Sequence, residues 1–196
     1  MIDAGGMLDL EQLRPERLRP ISRAEYEQLV ALGWFEDEQV ELLRGALVTM
    51  SPQGSRHTVA VSQLNELLVL GLKQRAWVRP QCSYAASEES EPEPDLAVVP
   101  RRDFSDALPQ SALLMVEVAD SSLRKDRRVK TSIYAENGVP ESWIVNLPDE
   151  VIEVHTDPHD GSYRQVTRRD RGETLTLSAF PDVSLAVDDV LPARSS

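Results

Sequence analysis

The chain predicts an α/β or α+β domain built on a mixed β-sheet, and three observations lead there. Stretches with helical apolar spacing alternate with short apolar runs. Those runs, such as LAVVP after Asp95 and LLMVEVA around Glu117, are apolar almost throughout, so the sheet should be covered on both faces. The length of 196 residues, 41% of them apolar, suits one domain with a real core.

The elements follow in chain order. Residues 1 to 20 are polar, carry Pro15 and Pro20, and read as an N-terminal arm. A single domain spans 21 to 192, and 193 to 196 form a tail. Ser22 with Glu25 three residues on is a capping box, which opens a helix through Leu32 that Gly33 ends. VELLRGALVTM, Val40 to Met50, reads as two short strands around Arg44-Gly45, and Ser51 to Gly54 as a loop. From His57 to about Arg75, Ala60, Leu64, Leu67, Leu68 and Gly71 keep helical spacing and predict a long core helix. Strands are expected at Trp77 to Ser83, Asp95 to Val99 and Ala112 to Ala119. A helix from Asp126 to Asn137 with Gly138 as its stop comes next. Strands recur at Ser142 to Leu147, Val151 to His155, Tyr163 to Arg168, Thr174 to Leu177 and Val183 to Val187.

Bulk properties narrow the function. No apolar run is long enough to span a membrane, and the start lacks the basic and apolar regions of a secretory signal. The single cysteine, Cys82, excludes an internal disulfide and a multi-cysteine zinc site. A cytoplasmic protein with no membrane partner is expected. The net charge of -12 counts against a broad basic surface for nucleic acid but not against a local one. Two basic clusters stand out: Arg124, Lys125, Arg127, Arg128 and Lys130, and then Arg164, Arg168, Arg169 and Arg171. Each is either a solvated face or an anion contact. The acidic tract Glu88 to Asp95 reads as a solvated approach to a strand.

Chemistry is expected at Asp95, Glu117 and Lys130. A carboxylate inside an apolar strand needs a cation or a proton to offset its desolvation. Strand alternation puts Met115, Glu117 and Ala119 on one face. Asp95 opens a neighbouring run, so adjacent strands would bring the two acids within reach of one divalent metal. Perturbed buried acids cluster at functional sites, although Glu117 could instead pair with an arginine. Lys130 shares a helix face with Tyr134, and Asp126 four residues earlier could pair with it. Glu41, between Val40 and Leu42, either faces solvent or joins the acids, and His57 is either a packed residue or part of the site. His155 and His159, beside Asp157 and Asp160, have the spacing of a hairpin loop rather than of a metal site. There is no G-x-S-x-G elbow, Walker A motif or dinucleotide fingerprint.

Five segments in order, VELLRGALVTMSP, Arg56-His57, SEPEPDLAVV, VEVADSS and KDRRVKTSIYAENGVPESWIVNL, make the chain resemble the Uma2-like restriction-endonuclease family of the PD-(D/E)XK nuclease superfamily. The resemblance runs from about Ser22 to Val190 and implies a restriction-endonuclease-like mixed sheet flanked by helices. It implies that Asp95, Glu117 and the main-chain carbonyl of Val118 hold Mg²⁺ (or Mn²⁺), that Glu41 completes the acidic cluster, and that Lys130 orients the attacking water. It further implies DNA as substrate. The wider superfamily places its lysine two residues after the glutamate, where this chain has Ala119, and Asp120 adds a charge in the following turn. Three functions are therefore weighed: a metal-dependent DNA endonuclease, a catalytically silent module of the same fold, and a metal-dependent hydrolase of another substrate. Symmetric cutting of two strands would be served by a homodimer.

Overall fold

A computed structural model describes residues 18–193. The proposed arm falls mostly, and the tail almost wholly, outside the described residues. The chain opens with α1 (Arg23–Ala31), where Ser22 and Glu25 make the reciprocal capping box. β1 (Val40–Leu43) and β2 (Ala46–Thr49) follow as an antiparallel hairpin. Its two-residue turn, Arg44-Gly45, takes positive φ at both positions, the geometry that matches strand twist. At Gly45 a Cβ would stand 2.2 Å from Pro20 Cβ. Gly45→Ala is therefore expected to destabilise the fold by about 1–3 kcal/mol, read by urea denaturation.

α2 (Ser55–Leu72) is the long core helix, with Ala60, Leu64, Leu68 and Leu72 on its buried stripe. Six strands make the main sheet: β3 (Ala76–Pro80), β4 (Leu96–Pro100), β5 (Leu114–Ala119), β6 (Glu141–Asn146), β7 (Val151–His159) and β8 (Ser162–Arg169). They lie in chain order, and only β5 and β6 run parallel. A parallel neighbour needs a crossover, which here is helical. It begins as α3 (Leu123–Lys125), passes through a π-helical segment (Asp126–Lys130) and ends as α4 (Thr131–Glu136). Two further strands, β9 (Thr174–Leu177) and β10 (Phe180–Ala186), pair with each other and lead into α5 (Val187–Val190).

The sheet is covered on both faces, as its apolar strands require. Leu114, Val116, Val118, Trp143 and Val145 pack with α2, β9, β10 and α5. Ala97, Val99 and Met115 pack on the other side with Tyr84, Ile133 and Tyr134. Gly71 of α2 meets β10 so closely that a Cβ would lie 2.8 Å from Val183 Cγ1.

The acidic tract departs from expectation. Glu91, Pro92, Pro94 and Asp95 are buried, not solvated. The reason is backbone pairing: Glu91 N–H donates to Leu42 O at 2.8 Å, and Leu42 N–H returns a bond to Glu91 O at 3.3 Å. A single antiparallel bridge thus ties the tract to β1. Burial raises the Glu91 carboxyl to about 7, from an ordinary 4.5. A raised acid stabilises the fold below its unfolded value, and that stability is lost as pH rises through about 7. Glu91→Gln should therefore leave Tm nearly unchanged at pH 4.5 and raise it at pH 8, which calorimetry can check.

Candidate active site

The register of β4 and β5 sets the two principal acids side by side. Leu96 pairs with Val116, so Asp95, one step further, lies next to Glu117. Asp95 Oδ2 accepts the Val118 N–H at 2.7 Å, a bond that fixes the carboxylate at the strand end. Its other oxygen, Oδ1, lies 3.1 Å from Nε2 of His57 in the first turn of α2. Nδ1 of that ring is buried without a partner.

Glu117 is 3% exposed in mid-strand. Tyr134 of α4 donates its hydroxyl to Oε1, and Lys130 donates Nζ to Oε2 at 3.1 Å. The helix face shared by Lys130 and Tyr134 therefore closes on one carboxylate. Lys130 is not a surface lysine, for it is only 2% exposed. Its ammonium also meets Glu41 Oε2 at 2.9 Å and the main-chain carbonyl of Glu93 at 3.0 Å. Three acceptors thus use the three donors of the ammonium.

The π-helical segment explains how Lys130 gets there. The N–H of Thr131 donates back to Asp126 O, five residues earlier, which widens that turn. The alternative i,i+4 ion pair of Asp126 with Lys130 does not form. Asp126 instead accepts from Ser122 Oγ at 2.5 Å, while Lys130 turns to the sheet.

Glu41 faces inward and is fully buried. Its strand does not alternate between core and solvent, because Val40 and Leu42 pack with Tyr26 of α1 while Glu41 meets the crossover helix. Lys125 Nζ reaches Glu41 Oε1 at 2.6 Å, and Glu93 N–H donates to Oε2 at 3.2 Å. Sequence reasoning missed Lys125 and Glu93 as individual site members. Lys125 was visible only as one of several basic residues, and Glu93 only as part of a tract taken for solvated.

Electrostatically the site holds more acids than cations. Asp95, Glu117, Asp126 and Glu93 border a cleft of about 230 Å³ together with Lys125, Lys130, His57 and Val118. Burial pushes Glu117 well above the ordinary carboxylate range, against the pull of Lys130, and Asp126, Asp95 and Glu41 add to the rise. Burial also raises Asp126 and Glu93. For Glu41 the two lysines overcome desolvation and hold the carboxyl below its usual value. Desolvation would lower Lys130, but Glu117 and Glu41 outweigh it and keep the ammonium charged. Lys130 is the fixed cation, and Glu117 is the acid whose charge depends on it.

No group of three or more His, Cys, Asp or Glu residues converges as a ready metal cage among the described residues. Asp95 and Glu117 nonetheless offer hard oxygens on the cleft wall. A magnesium ion commonly takes one or two carboxylates and keeps several waters. Each carboxylate oxygen has a second lone pair beyond the bond it already accepts. A divalent cation there would offset the mutual repulsion and burial that raise Glu117, Asp126 and Glu93.

The other candidates lie elsewhere. Arg164, Arg168 and Arg169 sit on β8, at the far edge of the sheet, and Arg171 pairs with Glu150 and Asp188. His155 is buried on β7 beside Glu153, and the Asp160-Gly161 turn joins β7 to β8 next to His159.

A mixed sheet with a helical crossover and paired acids on adjacent strands is a restriction-endonuclease-like architecture. The model of the Uma2 family, described as "Putative restriction endonuclease", matches residues 23–188, and the chain belongs to that family. Its fold matches the crystal structure of "a putative nuclease belonging to DUF820 from Anabaena variabilis ATCC 29413" with a TM-score of 0.71 and 13% identity, over 87% of this chain and 97% of that one. At that identity the likeness concerns the fold alone. No curated protein matches the chain. No helix among the described residues is long and apolar enough to cross a membrane.

Proposed function

We propose that this protein is a metal-dependent endonuclease that hydrolyses DNA phosphodiester bonds. The observation that carries the reading is the buried Lys130 ammonium, held between Glu41 and Glu117 beside Asp95 at the wall of an open cleft. Buried clusters of perturbed charges are enriched at functional sites.

Asp95, Glu117 and the Val118 carbonyl are the groups that would hold Mg²⁺ or Mn²⁺. When bound, the ion supplies Lewis acidity and a more acidic water. The chain's own residues do the rest. Lys130 Nζ, by exchanging its bond to the Glu93 carbonyl for one to the attacking water, orients that water and offsets charge that builds on the phosphoryl oxygens as water attacks phosphorus and the opposite P–O bond breaks. Glu41 keeps Lys130 charged and aimed, and draws Lys125 to the cleft, where its ammonium meets a neighbouring phosphate. Tyr134 locks the Glu117 carboxylate, and His57 steadies Asp95.

A silent module of the same fold is the second reading. It is favoured by one observation: every oxygen of Glu41 and Glu117 already has a donor in the protein. Supercoiled plasmid incubated with the purified protein in Mg²⁺ or Mn²⁺ separates the two. Nicking that EDTA abolishes and Asp95→Ala removes supports the endonuclease. Absence of both nicking and Mn²⁺ binding by calorimetry supports the silent module. Mn²⁺ binding without cleavage of DNA points to another hydrolysable substrate.

A further inference from the structure

We infer that the outer edge of β3 and β4 carries a second, non-catalytic site, which grips the phosphodiester backbone of the nucleic acid whose scissile bond enters the cleft. This inference rests on the nuclease reading and extends it to a place the acids do not reach.

Three guanidiniums gather there, each laid on an aromatic ring. Arg101 lies over Trp77 at 4.1 Å from the ring centroid, and Arg79 and Arg102 take positions over Phe104 at 5.2 and 4.9 Å. Trp77 is 42% exposed, although its Nε1 is tied to Arg102 O at 3.1 Å. The open indole gives a guanidinium a platform on this edge strand. Arg101 is further pinned by a 3.0 Å bond from its Nη1 to Gln74 O.

None of the three arginines has a carboxylate partner among the described residues. The one acid within the patch, Asp103, is turned onto its own loop: its Oδ1 accepts from Ser105 N–H at 2.9 Å and from Ser105 Oγ at 2.6 Å. Arg79 Nε is buried and has no hydrogen-bond partner among the described residues. In a chain of net charge -12, three pre-stacked arginines without a carboxylate partner among the described residues are an anion site in waiting. Stacked guanidinium groups keep their edge N–H donors free, which suits bidentate contact with phosphate oxygens.

Position gives the site its purpose. Trp77 pairs with Val99 and Arg79 with Ala97, and by alternation these residues share the sheet face of Asp95 and Glu117. Asp95 precedes β4 and Arg101 follows it, so roughly 20 Å of strand separates Arg101, at the far end of the patch, from the cleft, with Arg79 lying between them. At about 3.4 Å per phosphate along one strand, that is some six nucleotides. The patch would hold the flank of a duplex while the scissile bond lies at Lys130.

The test is binding of a fluorescently labelled duplex to the full chain in EDTA, where no hydrolysis occurs, across a salt series. The wild type should bind with a steep salt dependence. Arg101→Gln with Arg102→Gln should weaken binding about tenfold or more and flatten the slope of log K against log salt by about two. Equal affinity and slope in the two proteins, or no binding by the wild type, would overturn the inference. Circular dichroism confirms that the variant is folded. Hydrolysis of bis-p-nitrophenyl phosphate with Mn²⁺, a substrate too small to touch the patch, should be the same in both proteins. If neither protein hydrolyses it, the nuclease reading fails, whereas the salt series judges the grip by itself.

Discussion

Lys130→Met is expected to abolish cleavage and to destabilise the fold by about 3–5 kcal/mol, because removing one partner of a buried ion pair strands the other. Here two partners are stranded, Glu41 and Glu117, both within 3.1 Å of the ammonium. The Glu93 carbonyl loses its bond as well. Glu117, already raised by burial, should take up a proton, and Glu41 should keep only Lys125. Urea unfolding at pH 7 reads the loss. The triple variant Lys130→Met, Glu41→Gln, Glu117→Gln then separates structure from chemistry. With the Lys130–Glu41–Glu117 cluster neutralised together, it should recover most of the stability and none of the cleavage. Recovery of cleavage in the triple variant would show that the lysine holds the fold and plays no part in the reaction.

The residues that were legible in the sequence are those whose signal is local. Glu117 announced itself as a charge inside LLMVEVA, and the order of apolar runs predicted a mixed sheet covered on both faces, which the described residues have. The capping box at Ser22 and the Arg44-Gly45 turn were equally local, and both are as expected. What sequence left open was tertiary. Glu41 looked like an ordinary alternating strand residue, since nothing within β1 reveals that the crossover helix sends two lysines towards it. The tract from Glu88 reads as hydrophilic, yet its backbone pairs with β1 and carries Glu91 indoors. The π-helical segment had no periodic signature, because one extra residue per turn over five residues is within the scatter of any helical pattern. It nevertheless decides where Lys130 points. The arginine and aromatic patch was also hidden: Trp77 and Arg79 lie some twenty residues before Arg101 and Phe104, and only the β3–β4 register brings them together.

Asp95→Asn should reduce cleavage about a thousandfold or more while leaving the fold nearly intact. The two halves of that expectation come from different oxygens. Oδ2 accepts the Val118 N–H at 2.7 Å, and an asparagine carbonyl can accept the same bond, so the strand end stays anchored. What is lost is the negative charge. With it goes one of only two carboxylates proposed to hold the metal, and a bound ion's charge stabilisation is worth several kcal/mol in the transition state, at 1.36 kcal/mol for each tenfold in rate. Asparagine also presents a neutral group to His57 Nε2, now 3.1 Å from Oδ1, so the ring gives up an acidic neighbour without any steric change. Tm should move by only a few degrees, and Mn²⁺ titration should show weakened binding. Asp95→Ala, lacking the acceptor, should lose the same activity and in addition leave the Val118 N–H without its bond, so it should unfold at a lower temperature than Asp95→Asn. If Asp95→Asn cleaves at the wild-type rate, the negative charge at Asp95 has no part in catalysis, and the acid serves only to cap the end of β5.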